Sequence, residues 1–317
     1  MGIYMLNLLL FFLIFLGNIQ AVDRFAELRK FISKDQFGIE IAPWASPILP
    51  KSLKYHRVTL DLYDTSTLRM KALSHPSYRE LANQIEEVDF VGSALELSDL
   101  IQTKYPLETF DYILSSHNFE HLPNPILFLQ ECSKVLKKSG ILSMAIPDLR
   151  ACFDYFRPHT TLAEWLEAFF AHRNRPTLTQ IFELHSLHSR LVKANQELIG
   201  FYLKAPILDV IPYQTLKPAF DNWSRTLEVN DRDILKNYVD DADVHCSTFT
   251  PTSFELLIYD LQFLGLINFS IKEISSTNGC EFYVHLCNDF QQINNEQEFY
   301  NKRAELLRKI VNELKQR

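Results

Sequence analysis

Between residues 37 and 148, five short apolar runs alternate with helical stretches. No other feature constrains the fold as much. The runs are FGIEIAP (37–43), LKYHRVTLDLYD (53–64, its strand ending near Asp61), IEEVDFVG (85–92), FDYILSSH (110–117) and ILSMAIPD (141–148). Between them the spacing is helical. LRMKAL follows a cap at Thr65 or Ser66, and LELSDLIQTKY follows the third run. NPILFLQECSKVLKKSG (124–140) repeats apolar residues at Ile126, Leu129, Cys132, Val135 and Leu136, and Gly140 marks its end. This alternation predicts an α/β domain with a parallel sheet covered by helices on both faces. Ligands of such sheets bind beyond the carboxyl ends of the strands.

From Arg150 to about Asp243 the alternation stops. TTLAEWLEAFFAHRN, TLTQIFELHSLHSRLVKANQELIGFY and DNWSRTLEVNDRDILKNYVDD all read as helical, so a helical insertion is expected here. TPTSFELLIYDLQFLGL (250–266) returns to an amphipathic helix capped by Thr250. FSIKEISS and CEFYVHLC then flank Thr277-Asn278-Gly279, a hairpin signal that adds two strands to the sheet. The expected domain spans 23–288, with a polar helix at 289–317. A stripe in that helix at Leu307, Val311 and Leu314 suits either a short coiled coil, and so an oligomer, or a solvated terminal helix.

Composition removes several function classes. The 317 residues carry a net charge of −7 with Lys and Arg scattered, so a nucleic-acid footprint is missing. Five cysteines at irregular spacing form no C-x-x-C pair and read as reduced thiols, with no disulfide framework or metal implied. The first 22 residues hold no charged side chain, and Leu8 to Leu16 form an apolar core. An anchor, a signal and a helix packed on the fold all suit this segment.

The titratable residues gather at the strand ends. Glu40 lies inside the first strand, Asp61 ends the second and Asp89 the third, and His117, Glu120 and His121 follow the fourth. A carboxylate ending the second strand is placed to accept both hydroxyls of a ribose, and Asp89 an exocyclic amine. Each carboxylate taken singly is more often a loop cap. Their recurrence at successive strand ends is what points to a site. Pro123 and Pro125 fix the loop after the fourth strand, where Glu120 and His121 read as loop-closing groups.

These stretches carry a resemblance. F-D-Y-I-x-S-S-H-x-x-E-H-x-x-N-P, followed by V-L-K-K-S-G-I-L-x-x-x-I-P-D, resembles the S-adenosylmethionine-dependent methyltransferases of the seven-stranded class I fold. More narrowly, the chain is similar to a bacterial methyltransferase-domain subfamily often associated with glycosyltransferases. EIAPWASPILPK, VTLDLYDTSTLR, DLRACFDYFRPHTTLAEWLEAF, RNRPTLTQIFELH and ADVHCSTFTPTSF match its motifs in order, over roughly residues 36 to 288. The resemblance implies a Rossmann-like sheet with S-adenosyl-L-methionine as cofactor. It implies that Glu40 and the loop 42–47, with Ala42, pass the methionine part, that Asp61 holds the ribose and that Asp89 lies near adenine. Ser116 and His117 line the floor where cofactor meets acceptor. Asp148, Arg150, Asp154, Arg157 and His245 edge the acceptor pocket, or else form ion pairs that dock the insertion.

Ala42 departs from the pattern, which has glycine there. A positive φ at an alanine costs roughly 1 kcal/mol or more. The expected reaction is methyl transfer to a small molecule or glycan. His117, with an ordinary pKa near ~6.5, is the candidate base if a hydroxyl must lose its proton. The alternative is a catalytically inactive module of the same fold, used for interaction or regulation. An intracellular cofactor predicts a cytoplasmic domain, free or anchored through residues 1–22.

Overall fold

The computed structural model describes residues 23–76, 78–193, 196–228, 242–289, 293 and 295–315. The apolar N-terminal segment lies outside these residues. Among the described residues no helix is long and apolar enough to cross a membrane.

Strands β1 (Phe37–Ile41), β2 (His56–Asp61), β3 (Phe90–Val91), β4 (Phe110–Ser116) and β5 (Leu136–Pro147) form the parallel part of a seven-stranded sheet. Helices α2 (Thr65–Ser74), α3 (Leu97–Gln102) and α4 (Pro125–Val135) connect them, and the short α1 (Arg24–Leu28) precedes them. The order is β3-β2-β1-β4-β5, continued by β10 (Glu281–Cys287) and β9 (Ser270–Ile274), with β10 antiparallel to both neighbours. This is the Rossmann-like class I methyltransferase sheet that the resemblance implied.

The register is set at the centre, where Ile39 lies beside Val58 on one side and Ile113 on the other. Strands buried on both faces need continuous apolar runs, as in YILSS and ILSMAI. One face packs Ile39, Ile113, Leu142 and Val284 against Ile126 and Leu129 of α4 and Phe254 and Leu257 of α8 (Pro251–Phe263). The other face is smaller and joins Leu28, Ile48, Leu49, Tyr112 and Ala145. There the Tyr112 ring lies over Gly38, where a Cβ would sit 2.2 Å from its Cε2.

Several elements differ from the sequence reading. Helix α4 stops at Val135, and Leu136 to Gly140 open β5, with Ser139 in the left-handed region at φ 62°. Leu136 satisfies the helical spacing but pairs with Phe110, so the sheet overrides it. β3 is only two residues, and Asp89 precedes it rather than ending it. Asp64, not Thr65 or Ser66, caps α2.

The insertion is not all helical. After α5 (Leu162–Phe170) and α6 (Leu178–Leu187) come β6 (Ser189–Lys193), β7 (Gln196–Leu198) and β8 (Val210–Pro212), a three-stranded sheet ordered β7-β6-β8. Leu184, Leu187, Leu191 and Leu198 mimic a helical period, but Ser189 and Leu191 are buried at a period of two. Helix α7 (Leu216–Glu228) follows. The terminal helix α9 (Glu296–Leu314) buries Phe299, Leu306 and Ile310 rather than the expected stripe, packing on Leu256 and Tyr259 of α8. Leu307 and Val311 are 41% and 54% exposed, while Leu314 packs partly.

Candidate active site

The carboxyl ends of β1, β2, β3, β4 and β5 share one edge of the sheet, and Glu281 joins them as the first residue of antiparallel β10, opposite Pro147. The predicted residues divide there into those that present functional groups and those that hold the frame.

Glu40 belongs to the frame. Its buried carboxylate accepts from the backbone N–H groups of Ile48 (2.5 Å) and Leu49 (3.3 Å) and pairs with Arg57 at 3.0 Å. Arg57 also binds Glu86 and the Leu49 carbonyl. Glu40 therefore fixes the far end of the loop that follows β1. Ala42 opens that loop at φ 50°, and Trp44 follows at φ 49°. Both lie in the region that L-residues avoid. Ala42 is held there by its N–H bond to the Leu60 carbonyl (2.8 Å). Trp44 packs edge-on to Tyr78, and its buried Nε1 has no acceptor among the described residues.

Asp61 ends β2 as expected. It is 6% exposed, and among the described residues its carboxylate meets no side-chain donor, accepting a 3.3 Å bond from the Tyr63 N–H with the Leu62 N–H nearby. Burial raises its pKa to about 6, and the Tyr63 and Leu62 N–H groups recover only part of that cost. A carboxylate so poorly supplied with donors is ready to take donors from a ligand. Leu62 and Val91 flank it, 62% and 49% exposed. Asp89 lies beside it just before β3, its Oδ2 accepting the Thr59 N–H at 2.9 Å.

His117 follows β4 at φ 48°. Its Nε2 lies 2.6 Å from Glu281 Oε2 and its Nδ1 3.4 Å from Glu120 Oε1. Burial opposes its charge, but hydrogen bonds to the two carboxylates outweigh burial and raise its pKa to about 9. The two carboxylates thus favour its charged form, which weighs against the expected role as a general base. Glu281 is held down at about 2, because Arg24 (Nε to Oε1, 2.8 Å) and His117 overcome its burial, and Tyr283 Oη donates to it at 2.8 Å. Arg24 also donates to Ser116 Oγ. Glu281, Tyr283 and Arg24 were not foreseen. They come from the hairpin and from α1, which sequence order separates from the β4 tip.

The five expected acceptor residues form two internally paired groups. Arg150 grips Asp148 with Nε at 3.0 Å and Nη2 at 2.6 Å, and Thr277 donates to the same carboxylate. Asp154 joins Arg157 (2.7 Å) to His245 Nδ1 (2.5 Å), and Arg157 reaches Glu183 and the His245 carbonyl. All five are buried. Asp154, Arg157 and His245 tie the start of the insertion to the segment that leaves it, while Asp148 and Arg150 pair beside Thr277 of the hairpin. A separate groove of about 560 Å³ is lined by Phe182, Tyr213 and Phe220 in the insertion and shares no residue with the strand ends.

With this geometry in view, the comparisons are specific on one point. A family described as "Methyltransferase domain" matches residues 67–144. That stretch contains His117 and begins after Ala42 and Asp61. No curated protein matches the chain. Among solved structures, a Thermotoga maritima S-adenosylmethionine-dependent methyltransferase is 17% identical with a TM-score of 0.29. The alignment covers 40% of this chain and 51% of that one, so the chain spans about half of that relative's length. A Pyrococcus horikoshii protein is 15% identical, with 82% and 85% covered and a TM-score of 0.39. A Methanosarcina mazei S-adenosylmethionine-dependent methyltransferase is 12% identical, with 83% and 97% covered and a TM-score of 0.39. Over residues 67–144 the chain is thus similar to a methyltransferase domain.

Proposed function

We propose that the chain transfers the methyl group of S-adenosylmethionine to a small-molecule or carbohydrate acceptor at the carboxyl edge of the sheet. The observation that carries this reading is Asp61, a buried carboxylate short of donors at the tip of β2. A ribose diol supplies two O–H donors to such a group, and exposed Leu62 and Val91 give the adenine an apolar rim. The loop from Ala42 to Pro47 then borders the methionine part, with Ser116 and His117 as the floor. The sulfonium already activates the methyl group, so the protein chiefly aligns the acceptor, a contribution of ~7 to 11 kcal/mol at best.

His117 is assigned an orienting role in place of proton abstraction, its charge fixed between Glu120 and Glu281. The Asp148–Arg150 pair and Thr277 bound the acceptor side. The test is production of S-adenosylhomocysteine with a panel of sugars, amines and carboxylic acids, with mass detection of the methylated product. Turnover that disappears in Asp61→Ala supports the reading. A second reading, a fold kept for interaction alone, draws on the positive φ of Ala42. It predicts a folded chain that binds no cofactor.

A further inference from the structure

The geometry points to a divalent transition-metal site formed by Glu120, His121 and His245, beneath the tip of β4. Glu120 is 0% exposed, and neither of its carboxylate oxygens has a donor at full hydrogen-bond geometry among the described residues, His117 Nδ1 standing off at 3.4 Å. A buried carboxylate without donors is costly, and such groups are found paired or bound to metal. Two imidazole nitrogens face the same oxygen: His121 Nε2 and His245 Nε2 each lie 3.8 Å from Glu120 Oε1. His245 is 2% exposed, and its Nε2 has no partner among the described residues. One atom from each of the three residues falls within a 4.8 Å cluster.

The outer contacts fit the same reading. A metal-binding histidine usually donates its other ring N–H to a carboxylate, which fixes the tautomer and aims the free lone pair. His245 has this partner, and His121 Nδ1 stands close to a second carboxylate without hydrogen-bond alignment. His245 Nδ1 lies 2.5 Å from Asp154 Oδ2, and His121 Nδ1 lies 2.9 Å from Asp243 Oδ1. Arg157 neutralises Asp154 in turn. His117 Nδ1, at 3.4 Å from Glu120 Oε1, brings a third imidazole nitrogen near that carboxylate.

Two imidazoles and one carboxylate select zinc and its first-row neighbours over magnesium or calcium, which prefer all-oxygen sites. Four-coordinate ligands at metal distances of ~2.0–2.1 Å stand about 3.3 Å apart, so the cluster must contract modestly to bind. Three protein ligands leave a fourth position for water or an acceptor oxygen. The ion would tie the β4 loop to the segment that leaves the insertion, which gives the insertion a fixed seat over the strand ends. This inference does not depend on the methyl-transfer reading, because ion uptake is measured without cofactor or acceptor.

The test uses the full chain, stripped with a chelator and dialysed against Zn²⁺ or Co²⁺. One ion per chain is expected, with a visible Co²⁺ spectrum typical of four nitrogen and oxygen ligands. Glu120→Gln and His245→Gln should each abolish uptake while circular dichroism shows a folded chain. Asp243→Asn, at the more exposed outer partner, should weaken affinity about ten- to a hundredfold. His56→Gln, on the exposed start of β2, should change nothing. The site is overturned if native, folded chain takes up no ion. It is equally overturned by uptake that survives both substitutions, or by a cobalt spectrum dominated by thiolate charge transfer, which would assign the ion to cysteines such as neighbouring Cys246. Because the native chain alone can give the negative result, an unfolded variant does not protect the inference.

Discussion

Glu281 Oε2 lies 2.6 Å from His117 Nε2, joining the first residue of the antiparallel strand to the tip of β4. Arg24 holds the other oxygen of the same carboxylate. Removing the carboxylate would strip two partly buried basic groups of a shared partner. Glu281→Ala should therefore destabilise the chain by about 3 kcal/mol or more in urea unfolding. Glu281→Gln, which keeps hydrogen-bonding capacity, should cost visibly less. Equal, small losses would show that the charges are not coupled.

Asp61 gives a pH signature. Its folded pKa of about 6 lies above the ordinary 3.8. A raised pKa contributes stability that is fully present below the unfolded value and lost as pH rises through the folded one. The unliganded chain should thus lose stability between about pH 4 and 7 through this group. Asp61→Asn removes that loss, so it should stabilise the chain by about 2 kcal/mol at pH 8 and by little at pH 4, while cofactor affinity falls. Thermal melts of both chains at the two pH values check the sign. A variant less stable at pH 8 would contradict it.

Ala42 carries φ 50° without the freedom of glycine. The left-handed conformation costs an alanine roughly 1–2 kcal/mol, and glycine returns part of the gain as unfolded-state entropy. Ala42→Gly should raise stability by about 0.5–1 kcal/mol and tighten cofactor binding. An unchanged or lower melting temperature would mean the loop is not strained there.

Gly38 is the opposite case. Its missing Cβ makes room for the Tyr112 ring, whose hydroxyl donates to the His56 carbonyl at 2.8 Å. Gly38→Ala should cost about 2–3 kcal/mol by forcing the ring away, and Gly38→Ala with Tyr112→Leu should recover part of it. Additive losses would mean the ring is not the obstacle.

The terminal helix separates two adjacent leucines. Leu306 is 1% exposed against α8, while Leu307 is 41% exposed. Leu306→Ala should cost about 2–4 kcal/mol and Leu307→Ala less than about 0.5. The reverse order would restore the coiled-coil stripe expected from the sequence.

That reversal marks where the sequence was legible and where it was not. Strands β1, β2 and β4 were readable because their residues are apolar on both faces, a consequence of burial in a parallel sheet. The hairpin was readable because Asn278-Gly279 fits one turn chemistry. The α4–β5 boundary was not, since Leu136 and Lys137 suit a helix and only pairing with Phe110 decides otherwise. β6 was hidden by leucines whose spacing fits both periods.

In the candidate site, the position of Asp61 at a strand tip followed from local alternation. The partners of His117 did not, because Glu281 is 164 residues away and Arg24 lies on α1, before the first strand. With those partners unseen, an ordinary histidine pKa was the natural expectation, and two carboxylates overturn it. Glu120 and His121 read as loop closers because His245, which faces them, lies beyond the whole insertion.

Cofactor binding at Asp61 is tested most directly by calorimetric titration of the chain with S-adenosylmethionine and S-adenosylhomocysteine at pH 8, beside Asp61→Ala. Saturable micromolar binding to both ligands, lost in the variant, is the predicted result. A folded chain that releases no heat with either ligand, or an Asp61→Ala chain that binds as well as the native one, would contradict the account.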